Sequence, residues 1–139
     1  MIELFNKTTL DIDTILLETI ALEFTKRDIE LIFTDNEEIR ELNKEFRAID
    51  KDTDVLSFPL EDFPFTPLGS IVISQEHVIE KAEEFGHSIK DEYSLLFIHG
   101  LLHLLGFDHE NDEDEMRKEE ERLVEKYNLP KSLIIRTKN

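Results

Sequence analysis

Apolar residues recur along the chain at two spacings, which predict a mixture of helices and strands. A repeat of three and four residues favours helices, whereas short β-branched runs bounded by turn residues favour strands. The pattern predicts strands at Ile2–Phe5, Ile29–Thr34, Val55–Phe58, Gly69–Ile73 and Leu133–Arg136. It predicts helices at Asp11–Thr25, from Asp35 to about Phe46, from Ser74 to about Phe85, at Ser88–Leu105 and at Asp112–Tyr127. The proline-containing segment Glu61–Leu68 is predicted to be an irregular loop.

This alternation of strands and helices indicates an α/β or α+β fold with one small mixed β-sheet and helices packed on it. The length of 139 residues suits a single domain, 1–139. The Ser88–Leu105 helix is apolar on nearly every side, so we expect it at the centre of the core. On the helix that follows Asp35, the spacing places Ile39, Leu42 and Phe46 on the buried face.

The composition excludes several kinds of site. The chain has no cysteine, so disulfides, iron–sulfur clusters and cysteine zinc sites are excluded, and a metal must be held by His, Asp or Glu. The 16 basic and 33 acidic residues give a net charge of −17, which argues against a protein that tracks a phosphate backbone by bulk electrostatics. No apolar run reaches the length of a membrane span, so a cytoplasmic protein without membrane contact is expected.

Three of the five histidines lie within eleven residues and have the spacing of metal ligands. His99 and His103 stand four residues apart on one helix and therefore project from the same face. Gly106 can end that helix with a left-handed turn, which would bring His109 back to the same point. Three protein ligands and one open position are typical of a catalytic zinc, so one Zn²⁺ per chain is predicted.

The spacing matches the long zincin motif of metalloproteases at every defined position but one. Gly100 stands where that motif has its glutamate general base, and a glycine cannot accept a proton. Peptide hydrolysis by the usual zincin route is therefore not expected. The site then needs a different base, a metal-bound hydroxide or a nucleophile supplied by the substrate.

The segment from His99 to His109 resembles the signature of the YbeY family of metal-dependent endoribonucleases. Three further segments resemble other blocks of that family: 42–47 with 53–59, 69–74 and 86–88. The resemblance runs from about Leu42 to Met116. One departure is Ser70, at a position where the family usually has an aspartate.

The resemblance implies cleavage of single-stranded ribosomal RNA, with roles in maturation of the small-subunit 3′ end and in ribosome quality control. It implies that His99, His103 and His109 bind the zinc and that Arg47 is the functional arginine near it. A guanidinium suits a phosphate because its planar fork donates two hydrogen bonds. The implied partners are RNA and the ribosome or its small-subunit proteins, and not DNA or a membrane.

Further residues are candidates for the same cleft. Asp108 is either a hydrogen-bond partner of the metal site or a turn residue, and Asp54 either lines the cleft or caps a strand. Ser57 is a third candidate for the cleft lining. For the other notable side chains the simpler interpretation is favoured: a local hydrogen bond rather than a fourth metal ligand for His87, and loop anchoring rather than stacking on bases for Phe63 and Phe65. His77 is expected to be exposed, and the acidic stretch 110–125 is expected to form a solvated helix face.

Two alternatives to an endoribonuclease remain open at this point, a zincin-like metalloprotease and a ribosome-associated factor with a structural zinc. With this net charge, an endoribonuclease would have to hold its substrate through a few local contacts and not through attraction by the whole surface. Phosphate would be met by the zinc, Arg47 and the nearby Lys44 or Lys51, within a screening length of ~8 Å. Binding of free RNA is then expected to be weak and sensitive to salt, with a partner delivering the substrate.

Overall fold

The computed structural model describes residues 1–61, 63, 65–107 and 113–131. The strands are β1 (Ile2–Asn6), β2 (Ile29–Thr34), β3 (Val55–Pro59) and β4 (Gly69–Ser74). The helices are α1 (Ile15–Leu22), α2 (Asn36–Arg47), α3 (Gln75–Phe85), α4 (Ile89–Leu104) and α5 (Glu113–Lys126). The strand predicted at 133–136 lies outside the described residues. None of the helices in the described part has the length and apolar character needed to span a bilayer.

The four strands form one mixed sheet in the order β1-β2-β4-β3. β1 and β4 both run parallel to β2, and β3 pairs antiparallel with β4. β3 is therefore an edge strand with one side open to other contacts. The α+β class and the small mixed sheet are confirmed.

Helices cover both faces of the sheet, and the alternation of side chains along each strand separates the two faces. Ile71 and Ile73 of β4 point into the larger core, which contains most of α4. Val72, between them, points to the other face and packs against Ile39 of α2. Eleven of the 16 residues of α4 are buried, which confirms its predicted central position.

Short polar side chains fix the starts of three helices where the sequence predicts them. The side chains of Asp35, Ser74 and Ser88 accept hydrogen bonds from the backbone N–H groups of Glu38, His77 and Asp91. These bonds satisfy donors that have no partner within the helix. The start of α4 is thus set by local sequence.

Two predictions about helices need correction. α1 is shorter than the predicted Asp11–Thr25 and starts at Ile15. The backbone N–H of Asp13 donates to the Tyr93 hydroxyl, and the Asp13 carboxylate accepts from the N–H of Ile15. These bonds hold the preceding segment outside the helix. The prediction that Phe46 is buried is wrong, since the residue is 62% exposed. The last turn of α2 lies at the β3 edge, where the Phe46 and Phe58 rings meet edge to face with their centroids 5.4 Å apart.

Candidate functional site

A cleft of about 700 Å³ opens between the C-terminal half of α4 and the edge strand β3. Its lining includes five of the seven predicted site residues, Arg47, Asp54, Ser57, His99 and His103. Thr53, Val55, Pro59, Gly106 and Phe107 complete the lining. The two other predicted residues, Asp108 and His109, lie outside the described residues. Residues from α2, β3 and α4 that are distant in sequence are thus brought to one place.

His99 and His103 present matching nitrogens to the cleft. Their Nε2 atoms lie 3.2 Å apart, and their rings meet edge to face with centroids 4.7 Å apart. Two nitrogens bound to one tetrahedral zinc at ~2.0–2.1 Å are separated by about 3.3 Å. The pair therefore has the spacing needed to hold one ion between the two imidazoles.

The turn after α4 orients His103. Gly106 has a φ of 97°, and the N–H groups of Gly106 and Phe107 donate to the carbonyls of His103 and Leu102, which is the Schellman pattern. The predicted left-handed turn at Gly106 is confirmed. The turn places the Phe107 carbonyl 3.1 Å from His103 Nδ1. Because a carbonyl can only accept, Nδ1 carries the proton of a neutral ring and Nε2 keeps its lone pair for a metal.

A fully buried carboxylate faces the other histidine. Glu120 of α5 is 0% exposed, and its Oε1 lies 3.9 Å from His99 Nδ1. The prediction of a solvated face for the whole acidic stretch is therefore wrong at this residue. The signal was present in the sequence, because Glu120 falls on the apolar stripe of α5 between Met116 and Leu123. Burying a charge is costly, so a carboxylate on this stripe indicates a specific role.

Among the described residues, no three metal-ligating side chains are brought together. The donors that are described fit zinc: two imidazole nitrogens, at least one of them oriented through the hydrogen bond of its other ring nitrogen.

Arg47 forms the opposite wall of the cleft, at the end of α2. Its Nη2 donates a 2.8 Å hydrogen bond to the Ser57 carbonyl, and its guanidinium lies 5.9 Å from the centre of the Phe58 ring. Although the chain has 33 acidic residues, no described carboxylate forms an ion pair with Arg47. The guanidinium is thus positioned on the edge strand with its charge available to an anion.

Gly100 is explained by packing. A Cβ at this position would lie 2.9 Å from Ile71 Cγ2 and 3.1 Å from Ser57 Oγ. Position 100 therefore faces the sheet, and no glutamate side chain could be accommodated between α4 and β4. The close approach also lets the Ser57 hydroxyl donate a 3.1 Å bond to the Gly100 carbonyl.

The structure also places the two polar residues whose roles the sequence left open. Asp54 lines the cleft and also caps β3, since its Oδ1 accepts a 2.8 Å hydrogen bond from the N–H of Val55. Ser70 is remote from the cleft: on β4 it points to the same face as Val72, and its hydroxyl contacts Glu30 at 3.1 Å. A carboxylate at position 70 would stand beside Glu30 and could not reach the histidines.

The remaining candidates lie outside the cleft. His87 contacts Glu92 at 2.8 Å, which confirms its predicted local hydrogen bond. His77 was expected to be exposed, but its side chain is only 21% exposed and contacts Asp52 at 2.8 Å. Phe63 and Phe65 were expected to anchor their loop, yet both are exposed. The loop is attached instead by Arg27, which donates to the carbonyls of Glu61, Thr66 and Pro67.

Comparison with known proteins decides the family. The family model described as Endoribonuclease YbeY matches residues 4–128. The chain belongs to the YbeY endoribonuclease family. The match confirms the predicted resemblance and identifies the chain as an endoribonuclease, a hydrolase of phosphodiester bonds.

Individual relatives agree with the family assignment over nearly the whole chain. The Endoribonuclease YbeY of Nitratiruptor sp. is 58% identical over 138 residues, which cover 99% of this chain and 96% of that protein. The Endoribonuclease YbeY of Aliarcobacter butzleri is 61% identical over 140 residues, covering 98% and 99%. The solution structure of a Thermotoga maritima protein has a TM-score of 0.60 at 34% identity, covering 90% of this chain and 87% of that one.

Proposed function

We propose that this endoribonuclease is zinc-dependent and specific for single strands, and that it acts in maturation of the small-subunit ribosomal RNA 3′ end and in ribosome quality control. The observation that carries the proposal is the pair of Nε2 atoms, 3.2 Å apart, which shares one cleft with Arg47. Residues 1–139 would act as one catalytic domain.

His99, His103 and His109 would hold the zinc. When bound, the ion would supply a Lewis acid for a phosphate oxygen and would lower the pKa of a coordinated water to roughly 7. The Phe107 carbonyl keeps His103 in the tautomer that binds metal through Nε2. Glu120 lies on the Nδ1 side of His99 at 3.9 Å, which is beyond hydrogen-bond distance, and its negative charge would favour a proton on that nitrogen.

Arg47 would bind the phosphate that is cleaved. Its hydrogen bond to the Ser57 carbonyl fixes the guanidinium on the wall facing the histidines, and its remaining N–H groups can donate to the non-bridging oxygens. These donors favour the transition state, where the charge on the oxygens increases.

The nucleophile is either water or the adjacent 2′-OH, and the products distinguish the two. Gly100 provides no base at the position used by zincins. Attack by the 2′-OH would leave a 2′,3′-cyclic phosphate on one fragment and a 5′-hydroxyl on the other. Attack by water would leave a terminal phosphomonoester on one fragment and a hydroxyl on the other. Analysis of the fragment ends therefore identifies the attacking group.

We further propose that the enzyme acts in the cytoplasm and that the ribosome or a small-subunit protein delivers the RNA to it. A net charge of −17 repels free RNA, so the local cations at the cleft would bind it weakly at physiological salt. A basic partner would offset this repulsion. Tight binding of long RNA by the purified chain at physiological salt would contradict the need for a partner.

The test is zinc content and cleavage of 5′-labelled single-stranded RNA, measured for the wild type and His103→Ala. His77→Ala is the matched control, because His77 contacts Asp52 away from the cleft. We expect one zinc per chain and cleavage in the wild type and the control, and loss of both in His103→Ala. Zinc binding without strand scission would instead support a factor with a structural zinc.

A further inference from the structure

Phe46 exposes a large aromatic ring beside the cleft. The residue is 62% exposed, although the spacing of α2 predicts burial. Its ring meets the ring of Phe58 edge to face, with the centroids 5.4 Å apart. The Arg47 guanidinium lies over the same Phe58 ring, and Arg47 lines the cleft. Phe46, Phe58 and Arg47 therefore form a continuous row that leads from the helix surface into the cleft.

The side chains around Phe46 match those that bind single-stranded nucleic acid. Arg47 directly follows Phe46, and Lys44 lies in the same last turn of α2, so both cations are within one helical turn of the exposed ring. The described residues give neither cation an ion-pair partner. Proteins that bind single strands combine such charges, which meet the backbone, with aromatic rings on which bases stack.

The net charge makes stacking especially important here. An enzyme with a charge of −17 cannot hold RNA by long-range attraction. Stacking on an aromatic ring does not depend on net charge and tolerates any base. It also requires a base that is not paired, so it would favour single-stranded over double-stranded RNA.

We propose that Phe46 is a stacking site for one base of the RNA next to the phosphate bound by Arg47. The inference rests on the proposed function of the cleft and adds the contact that holds the substrate. Phe58 contacts the Phe46 ring at an interplanar angle of 65°, and the 62% exposure of Phe46 leaves ring surface for the base.

The absence of tryptophan from the chain allows a direct test. Phe46→Trp introduces a single tryptophan whose fluorescence a stacked base would quench. The probe is an octa-adenylate with 2′-O-methyl riboses, which cannot be cleaved through the 2′-OH, in a buffer with a chelator. The matched control is Phe5→Trp, since Phe5 is 47% exposed on β1, at the opposite edge of the sheet.

We expect saturable quenching in Phe46→Trp and none in Phe5→Trp. An octamer of the same phosphate count without bases should quench neither. The affinity of the octa-adenylate, measured by anisotropy of a labelled strand, should fall about 5- to 150-fold in Phe46→Ala, the range expected for loss of one stacked base, and stay within twofold in Phe46→Tyr.

Equal quenching by the base-free octamer, or unchanged affinity in Phe46→Ala, would overturn the inference. Because Phe46 is exposed, the alanine variant is expected to fold. The assay needs neither zinc nor turnover, so an absence of quenching would argue against base stacking on Phe46 but not against the proposed zinc site. A failure of zinc binding would conversely leave the quenching result unchanged.

Discussion

The Ser57 hydroxyl donates a 3.1 Å hydrogen bond to the Gly100 carbonyl and thereby joins the two walls of the cleft. Ser57 belongs to the edge strand that anchors Arg47, and Gly100 follows His99 on α4. The distance between the wall that carries Arg47 and the wall that carries the histidines thus depends on the absence of a side chain at position 100. The stability of the protein and its affinity for metal should respond together to changes there.

Gly100→Ala should destabilise the protein by about 1–3 kcal/mol, because its Cβ would overlap Ile71 and Ser57. Urea unfolding measures the effect, and weaker zinc binding should accompany it. Ser57→Ala is the control, since it loses only one hydrogen bond and should cost about 0.5–1.5 kcal/mol. An unfolding free energy of Gly100→Ala equal to that of the wild type would contradict the packing explanation.

Glu120→Gln should weaken zinc binding about 10- to 100-fold, because the charge that supports the His99 ring is lost. Competition with a chromophoric chelator measures the affinity. Glu121→Gln provides a matched control on the same helix, since Glu121 is exposed. Equal zinc affinities in both variants would exclude a role for Glu120 at the metal.

Arg47→Ala should lower the rate of RNA cleavage about 10²–10³-fold at saturating zinc, as expected when a donor to a developing charge is removed. The zinc content should not change, because Arg47 is not a proposed ligand. Arg40→Ala is the control: Arg40 lies on the same helix, but Asp50 pairs with it at 2.7 Å. Cleavage at the wild-type rate in Arg47→Ala would exclude Arg47 as the phosphate clamp.

Acid should weaken the contact between Glu23 and the C-terminal part of α5 and thereby lower the free energy of unfolding. A hydrogen bond from Tyr127, together with Arg122 and Lys126, lowers the pKa of Glu23 from 4.5 to about 2. The folded state therefore favours the carboxylate, and this stabilisation is complete above pH 4.5 and lost as the pH falls towards 2. Between these values, the unfolding free energy should fall more steeply in the wild type than in Glu23→Gln. Parallel pH profiles would show that the contact contributes nothing.

The sequence predicted the fold and most of the cleft because local rules govern those parts. α4 is recognisable from its apolar composition, its Ser88 cap and the glycine turn at Gly106, and together these fix the direction of His99 and His103. Local rules also place Ser57 on one short strand and Asp54 immediately before it.

The wrong predictions concern residues whose burial depends on the neighbouring elements and not on their spacing along the helix. Phe46 has the spacing of a buried residue, but the last turn of α2 lies at the sheet edge and leaves the ring exposed. Glu120 has the composition of a solvated residue, but it occupies an apolar stripe packed against α4. Neither position follows from the helix alone, because each depends on which element lies opposite.

The most direct test of the metal-dependent cleft is a titration of zinc into the metal-free chain while single-turnover cleavage of a single-stranded RNA is followed. We predict that the rate rises linearly with added zinc and stops rising at one zinc per chain, and that His103→Ala shows no rise. Cleavage at the full rate before zinc is added, or an equal rise in His103→Ala, would contradict the assignment of RNA cleavage to this site.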